Sequence, residues 1–314
     1  MSEKDYTNTV CTRLYLPAFG VEERCRLGYP NDNRCVVGHP YCHAYRQIPE
    51  MKTVMKRPKL LDTFCCAGGA SMGYYQAGFD PYGIDIDPKP LRHYPFPHLC
   101  MDALEALDRL IKDEGLTFSN GETLYLKDFT AIHASPPCQR YSVMTPLDRK
   151  EEHPDLIKPV HDLLVKIGLP YVIENVEGAK DKLVNPVLLC GTMFGLQTKH
   201  GSQLRRHRYF EMPWYNALTP PCGHNRLYST IRCYGSGQDP DRKKFPATIG
   251  VWGHAGGTSN RDGLIQFGTQ DRRDAMGIDW MVGDELSEAI PPAYTRFIGT
   301  HLFKHLERLT NAQL

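Results

Sequence analysis

The sequence predicts an α/β fold built on an open, mostly parallel sheet, and two observations predict it. The first is a run of strand, glycine turn, helix and second strand. KLLDTF at 59–64 reads as a buried strand, CCAGGAS as a small-residue turn, the stretch to Gly78 as a helix, and PYGIDID at 81–87 as a strand ending in acids. The second is a pair of strings, ASPPCQRYS at 134–142 and IENVE at 173–177, that each put a reactive side chain at the end of a strand. Ligands of open parallel sheets bind at the carboxyl ends of strands, so separate strands bring such side chains to one site.

Each element has a local reason. The turn after KLLDTF opens a helix whose N-terminus, with the glycines before it, can wrap a nucleoside cofactor. AIHAS at 131–135 is a further strand running into Pro136 and Pro137, which fix the chain direction and remove two backbone donors, so Cys138 sits on a stiff loop. Leu156, Ile157, Val160, Leu163, Leu164 and Ile167 follow helical spacing, with Gly168 as a stop. LPYVIEN then supplies a strand that carries Glu174 at its C-terminal end. Residues 211–268 are rich in Gly, Pro and aromatics without periodic apolar runs, the pattern of an irregular insert of short strands and loops. Regular structure resumes near Gln270, and Pro291 and Pro292 open a helix through Tyr294, Phe297, Ile298, Leu302, Leu306 and Leu309. The predicted organisation is an extension at 1–57, a cofactor-binding catalytic domain at 58–210, the insert at 211–268 and a returning segment at 269–314.

Composition narrows the setting. A chain of 314 residues, 41% of them hydrophobic, can bury a sizeable core. Lys+Arg 37 against Asp+Glu 36 leaves a formal charge of +1, so any nucleic-acid footprint must be local. KHGSQLRRHR at 199–208 is the candidate, with four Lys or Arg residues and no acid. No apolar run approaches the roughly 18 residues that span a bilayer. Eleven cysteines without a secretory signal fit a reducing cytoplasm rather than a disulfide framework. No obligate protein partner is evident, and a monomer is expected.

A thiol and a carboxyl group at two strand ends suit addition to a pyrimidine ring: the Cys138 thiolate attacks carbon 6 while Glu174 protonates the adjoining ring nitrogen, which makes carbon 5 nucleophilic. A thiol has an ordinary pKa of about 8.5, and Arg206 or Arg208 is expected to lower that of Cys138.

At these residues the chain resembles the cytosine-C5 methyltransferases that use S-adenosylmethionine, over about residues 59–302. The opening Phe-x-Gly-x-Gly-Gly motif is matched by Phe64, Cys65, Cys66, Ala67, Gly68 and Gly69; Pro-Pro-Cys-Gln by Pro136 to Gln139; Glu-Asn-Val by Glu174 to Val176; and Arg-x-Arg by Arg206 and Arg208. The resemblance implies a Rossmann-like methyltransferase sheet with a small target-recognition insert, and double-stranded DNA as substrate. It implies catalytic roles for Cys138, Glu174, Arg206 and Arg208, and cofactor contacts from Phe64, Ala67, Gly68, Gly69, Asp85, Ile86, Asp102, Pro137 and Glu288. Gln139, Ser142 and Asn175 are implied at the substrate. Asp102 read alone is a helix N-cap. Arg226, Arg232, Arg242, Lys243 and Lys244 are candidates for phosphate contacts.

Three positions depart from the family pattern: Cys66 for a glycine, Leu204 for a glutamine, and Glu288 for an asparagine before Ala-Ile-Pro-Pro. Glu288 leaves open whether the transferred group is plain methyl. Short and without a companion nuclease, the chain looks like phage-borne or orphan enzymes whose methylation protects DNA from restriction, which implies a bacterial or phage-infected host cytoplasm. The alternatives are a tRNA cytosine-C5 methyltransferase and a non-catalytic DNA-binding relative. Outside the resemblance, Cys11, Cys25, Cys35, His39, Cys42 and His43 are weak candidates for a structural zinc, lacking Cys-x-x-Cys spacing, and Cys222, His224 and Cys233 form a weaker set. No metal is assigned to either.

Overall fold

The computed structural model describes residues 57–143, 145–223, 248–251 and 267–312. The extension before residue 57 and much of the expected insert lie outside them. Seven strands form the main sheet: β1 (Lys59–Thr63), β2 (Asp80–Asp85), β3 (His98–Cys100), β4 (Phe129–Ala134), β5 (Tyr171–Asn175), β6 (Val187–Leu189) and β7 (Arg208–Glu211). Their spatial order is β3-β2-β1-β4-β5-β7-β6. Neighbours among the first five strands pair in parallel, whereas β7 runs antiparallel to both β5 and β6. The order 3-2-1-4-5 is Rossmann-like, with its switch point between β1 and β4; the reversed strand is the departure.

The helices are α1 (Gly69–Gln76), α2 (Pro88–Leu91), α3 (Ala103–Ile111), α4 (Ile157–Ile167), α5 (Thr269–Met276), α6 (Glu285–Glu288) and α7 (Pro292–Ala312). Alternation along the central strands assigns them to two layers. Leu60, Ala131 and Val172 share one cluster with Tyr74 of α1 and Tyr294, Ile298 and Leu302 of α7. Leu61, Ile132 and Ile173 face the other way, into a cluster with Leu107 and Leu110 of α3 and Val160 and Leu164 of α4. Apolar residues therefore run continuously along strands buried on both faces. Among the described residues no helix is long and apolar enough to cross a membrane.

The structure adds elements that pattern reading did not separate. In α3, ALEALDRLI buries Ala103, Ala106, Leu107 and Leu110 at helical spacing, behind an N-cap. Strand β2 stops at Asp85 rather than Asp87, because the Asp87 side chain accepts from the Lys89 N–H at 2.9 Å and caps α2. Glu211, expected in the insert, is still in the sheet, its carboxylate accepting from the Tyr171 hydroxyl at 2.9 Å and the Val184 N–H at 2.8 Å. Gln203–Leu204 pairs in parallel with Thr248–Ile249, which returns the far side of the insert to its near side.

Helices α1 and α7 pack so closely that Gly73 has no room for a side chain: a Cβ there would fall 2.0 Å from Thr295 Oγ1 and 2.2 Å from the Pro292 carbonyl oxygen. We therefore expect Gly73→Ala to cost about 1–3 kcal/mol through forced separation of the two helices, read as a lower midpoint in urea unfolding. A wild-type midpoint would rule out this packing.

Candidate active site

At the carboxyl edge of a parallel sheet each strand ends and hands its chain to a loop. Strand β1 ends there in the Phe64–Gly69 turn, β2 in Asp85, β4 in the loop that carries Cys138, and β5 in Glu174 and Asn175. Strand β7, being reversed, begins at that edge, so Arg208 and the residues before it arrive where the others leave.

The Cys138 loop is held from several sides. The Asn175 side-chain amide donates to the Pro136 carbonyl at 2.9 Å, and the Cys138 carbonyl accepts from the N–H groups of Tyr141 (3.0 Å) and Ser142 (2.9 Å). A Cβ on Gly178 would fall 2.2 Å from the Tyr141 carbonyl oxygen, so the chain after Glu174 closes directly over the loop. Asn175 is fully buried, and its Oδ1 accepts from the Val176 N–H. Asn175 thus braces the loop, with one bond at each end of its amide. Gln139 is exposed and Ser142 half-buried.

Glu174 is only 6% exposed. Arg208 Nε lies 2.9 Å from its Oε1, an ion pair made without a hydrogen bond to that oxygen, so a buried acceptor remains available in the site. Burial pushes the Glu174 carboxyl up from its ordinary pKa against the downward pull of Arg208, Arg206 and a hydrogen bond from Ser135. The Ser135 hydroxyl also meets His133 Nε2 at 2.8 Å, and His133 Nδ1 meets the Tyr74 hydroxyl at 2.9 Å. A chain of polar contacts thus runs inward from Glu174. Burial holds His133 neutral, with its pKa lowered to about 3. Sequence reading passed over Ser135 and His133, although a histidine inside the apolar run AIHA was the available signal.

Cys138 differs from expectation. Arg208 and Arg206 do pull its thiol down, but burial pushes it up more strongly and Glu174 adds to the push, so its pKa lies above the ordinary value.

Arg206 has a structural part as well. Its buried guanidinium donates to the carbonyls of Val251, Ser287 (2.7 Å) and Ala289 (2.7 Å), while its own carbonyl accepts from the Tyr294 hydroxyl at 2.6 Å. It fastens three chain segments together, and its charge still acts on Cys138 and Glu174. The expected basic footprint divides accordingly: Lys199 and Arg205 are exposed, Arg206 is buried and Arg208 faces Glu174.

The turn after β1 forms a cradle. Phe64 and Cys66 adopt left-handed backbone angles, φ 60° and 47°, a costly conformation held by its surroundings. The Cys66 N–H donates to Asp85 Oδ2 at 2.8 Å, the Asp87 N–H to Asp85 Oδ1 at 2.9 Å, and Trp280 Nε1 to the Ala67 carbonyl at 2.8 Å. Asp85 is thereby oriented with lone pairs to spare. Ile86 beside it is 67% exposed. Asp102 caps α3, accepting from the Glu105 N–H at 2.9 Å through Oδ1. Two departures from the family pattern meet here: Cys66 Sγ lies 3.7 Å from Glu288 Oε2. Burial raises the Glu288 pKa, and Asp284, Asp85 and Asp87 raise it further against the Cys66 contact. Leu204, the third departure, is fully buried among Ile249, Val251 and Met276. The grooves beside α1, α5 and α7 contain none of Cys138, Glu174, Arg208, Asp85 or Glu288.

Arg226, Arg232, Arg242, Lys243 and Lys244, His224, Cys233 and the six N-terminal Cys and His candidates lie outside the described residues. Cys222 is described, and its sulfur sits 3.5 Å from His207 Nε2, with Cys190 close by. Sequence reading singled out neither Cys190 nor His207, and no local spacing announces them.

No family model matches the chain, and no curated protein matches it. Among solved structures it is similar to a protein encoded within an E. coli prophage and described as a DNA modification methyltransferase, at 16% identity and a TM-score of 0.45, covering 80% of this chain and 99% of that one. It is similar also to the Entamoeba histolytica methyltransferase EhMeth, at 15% identity and 0.45, covering 80% and 99%. The Dnmt2 methyltransferase of S. pombe compares at 14% identity and 0.45, covering 81% and 99%.

Two outcomes follow from this geometry. Ser135→Ala removes a hydrogen bond that favours the Glu174 carboxylate, so the Glu174 titration moves to higher pH, observable by NMR of carboxyl-labelled glutamate; an unmoved titration would exclude that contact. Arg206→Met destabilises the fold by at least about 1–3 kcal/mol, the cost of a single buried carbonyl left unpaired, measured by urea unfolding.

Proposed function

We propose that this chain is an S-adenosylmethionine-dependent methyltransferase acting on carbon 5 of cytosine in DNA. The observation that carries this proposal is the delivery of Cys138 and Glu174 by adjacent strands to one edge, with Arg208 against Glu174 and the Asp85 cradle on the same edge.

Carbon 5 of cytosine is a poor nucleophile until carbon 6 carries a substituent. The Cys138 sulfur adds to carbon 6 as the thiolate, favoured by the charges of Arg208 and Arg206 against burial. Glu174, whose carboxyl burial pushes toward the protonated form, gives a proton to nitrogen 3. Arg208 orients the Glu174 carboxyl and offers its remaining donors to the carbonyl oxygen of the base. Carbon 5 then accepts the methyl group and loses its proton to a base. The bond between sulfur and carbon 6 breaks, and nitrogen 3 returns its proton to Glu174.

The cradle fits the cofactor by the chemistry of its donors. Asp85 suits a ribose diol, Ile86 an adenine face and Asp102 an exocyclic amine. S-adenosylmethionine, when bound, supplies a methyl group made electrophilic by a sulfonium. Backbone from Phe64 to Gly69 and Pro137 would line its site.

Cytosine inside a duplex is out of reach of Cys138, so the base must be flipped, at roughly a few kcal/mol. Val143 and Leu147, 90% and 85% exposed just beyond the Cys138 loop, supply apolar surface for that partner. The cations of the insert are the proposed phosphate contacts. Protection of DNA from restriction is the role such methylation would serve.

Incubation with a 5-fluorocytosine duplex and S-adenosylmethionine is expected to trap a covalent adduct that Cys138→Ala abolishes. Nucleoside mass spectrometry is expected to find 5-methylcytosine in DNA, with Glu174→Gln slowing its formation by about 10²–10⁴-fold. Label in tRNA instead would move the substrate to RNA. Label in neither, together with retained DNA binding, would mark a non-catalytic relative.

A further inference from the structure

Cys190, His207 and Cys222 play no part in the proposed reaction, yet the fold brings them together. Cys190 directly follows β6 and is buried, His207 directly precedes β7, and Cys222 lies near the start of the expected insert. Their ligating atoms all lie within 4.8 Å of one another. We propose that these three residues bind a zinc ion that fastens the start of the insert to the carboxyl edge of the sheet.

One donor separation matches that of a zinc site, and the third donor lies within reach. With Zn–S near 2.3 Å and Zn–N near 2.0–2.1 Å, a tetrahedral site separates its sulfur and nitrogen donors by roughly 3.5 Å. His207 Nε2 and Cys222 Sγ are 3.5 Å apart. The other imidazole nitrogen, Nδ1, faces Glu177 Oε2 at 3.5 Å, the arrangement by which a carboxylate orients a metal-bound histidine. Glu177 closes the same IENVE string that contains Glu174, so consecutive residues His207 and Arg208 meet the two glutamates of one motif. Thr192 steadies the third donor: its Oγ1 lies 3.7 Å from Cys222 Sγ and accepts from the Gly223 N–H at 3.3 Å.

Two thiols and an imidazole are soft to borderline donors, which select zinc over magnesium or calcium. Three protein donors leave one tetrahedral position for a further ligand. The consequence is mechanical. The ion would join β6, the start of β7 and the first part of the insert, so the recognition segment would be anchored one residue from Arg208.

The test uses the full-length protein expressed with added zinc. Elemental analysis is expected to find bound zinc, with one equivalent lost in Cys190→Ser and in Cys222→Ser but retained in Cys25→Ser, which separates this site from the N-terminal cysteines. Because either core variant can fail to fold, the wild type supplies two further readouts. Cobalt loading is expected to give the thiolate charge-transfer absorption of a tetrahedral site, and zinc is expected to protect Cys222 from iodoacetamide until a chelator is added. Unchanged zinc content in both variants would overturn the proposal. So would Cys222 alkylation at one rate with and without zinc, or a metal-free Cys190–Cys222 disulfide.

Discussion

The reversal of one strand is the constraint on which the rest of the site depends. A parallel sheet delivers only strand C-termini to its carboxyl edge, and with them acids and a thiol: Asp85, Cys138 and Glu174. Threading β7 antiparallel between β5 and β6 brings a strand N-terminus to the same edge, and with it Arg206, His207 and Arg208. The pairing of Phe210 with Glu174 places the start of β7 alongside the end of β5, so Arg208 reaches the carboxyl group laterally. The same placement brings His207 to Cys190, since Leu189 pairs with Arg208.

Burial sets the electrostatics of this edge. It raises Glu174 toward the protonated form that an acid needs and raises Cys138 away from the thiolate that a nucleophile needs. Arg208 lowers both, and its pull on the thiol is the one the proposed chemistry needs. The contacts from Ser135 through His133 to Tyr74 supply hydrogen-bond partners below Glu174 without adding a charge, because buried His133 stays neutral.

The structure also explains how departures from a motif are accommodated. Cys66 occupies a left-handed turn position where glycine is the easier residue, and its sulfur contacts Glu288, a residue 222 positions away that departs from the same pattern. Two substitutions that look independent along the chain are neighbours in space. Leu204 follows a different logic: it fills an apolar cluster that includes Ile249 from the expected insert, where the side chain of a glutamine would need polar partners.

Local pattern by itself determined the strands with continuous apolar runs, the helix at Ile157–Ile167, the stiff loop of Cys138 and the pairing of a thiol with a carboxyl group at strand ends. These follow from periodicity, proline geometry and the rule that ligands meet strand C-termini. Tertiary structure alone decided which of two similar arginines faces the carboxylate. Arg206 and Arg208 differ by two residues, but only Arg206 meets the carbonyls of Val251, Ser287 and Ala289. It alone decided also that Asn175 braces a loop and that Cys190, His207 and Cys222 converge. Each outcome depends on contacts between segments far apart in the chain, and a linear pattern carries no record of such distances.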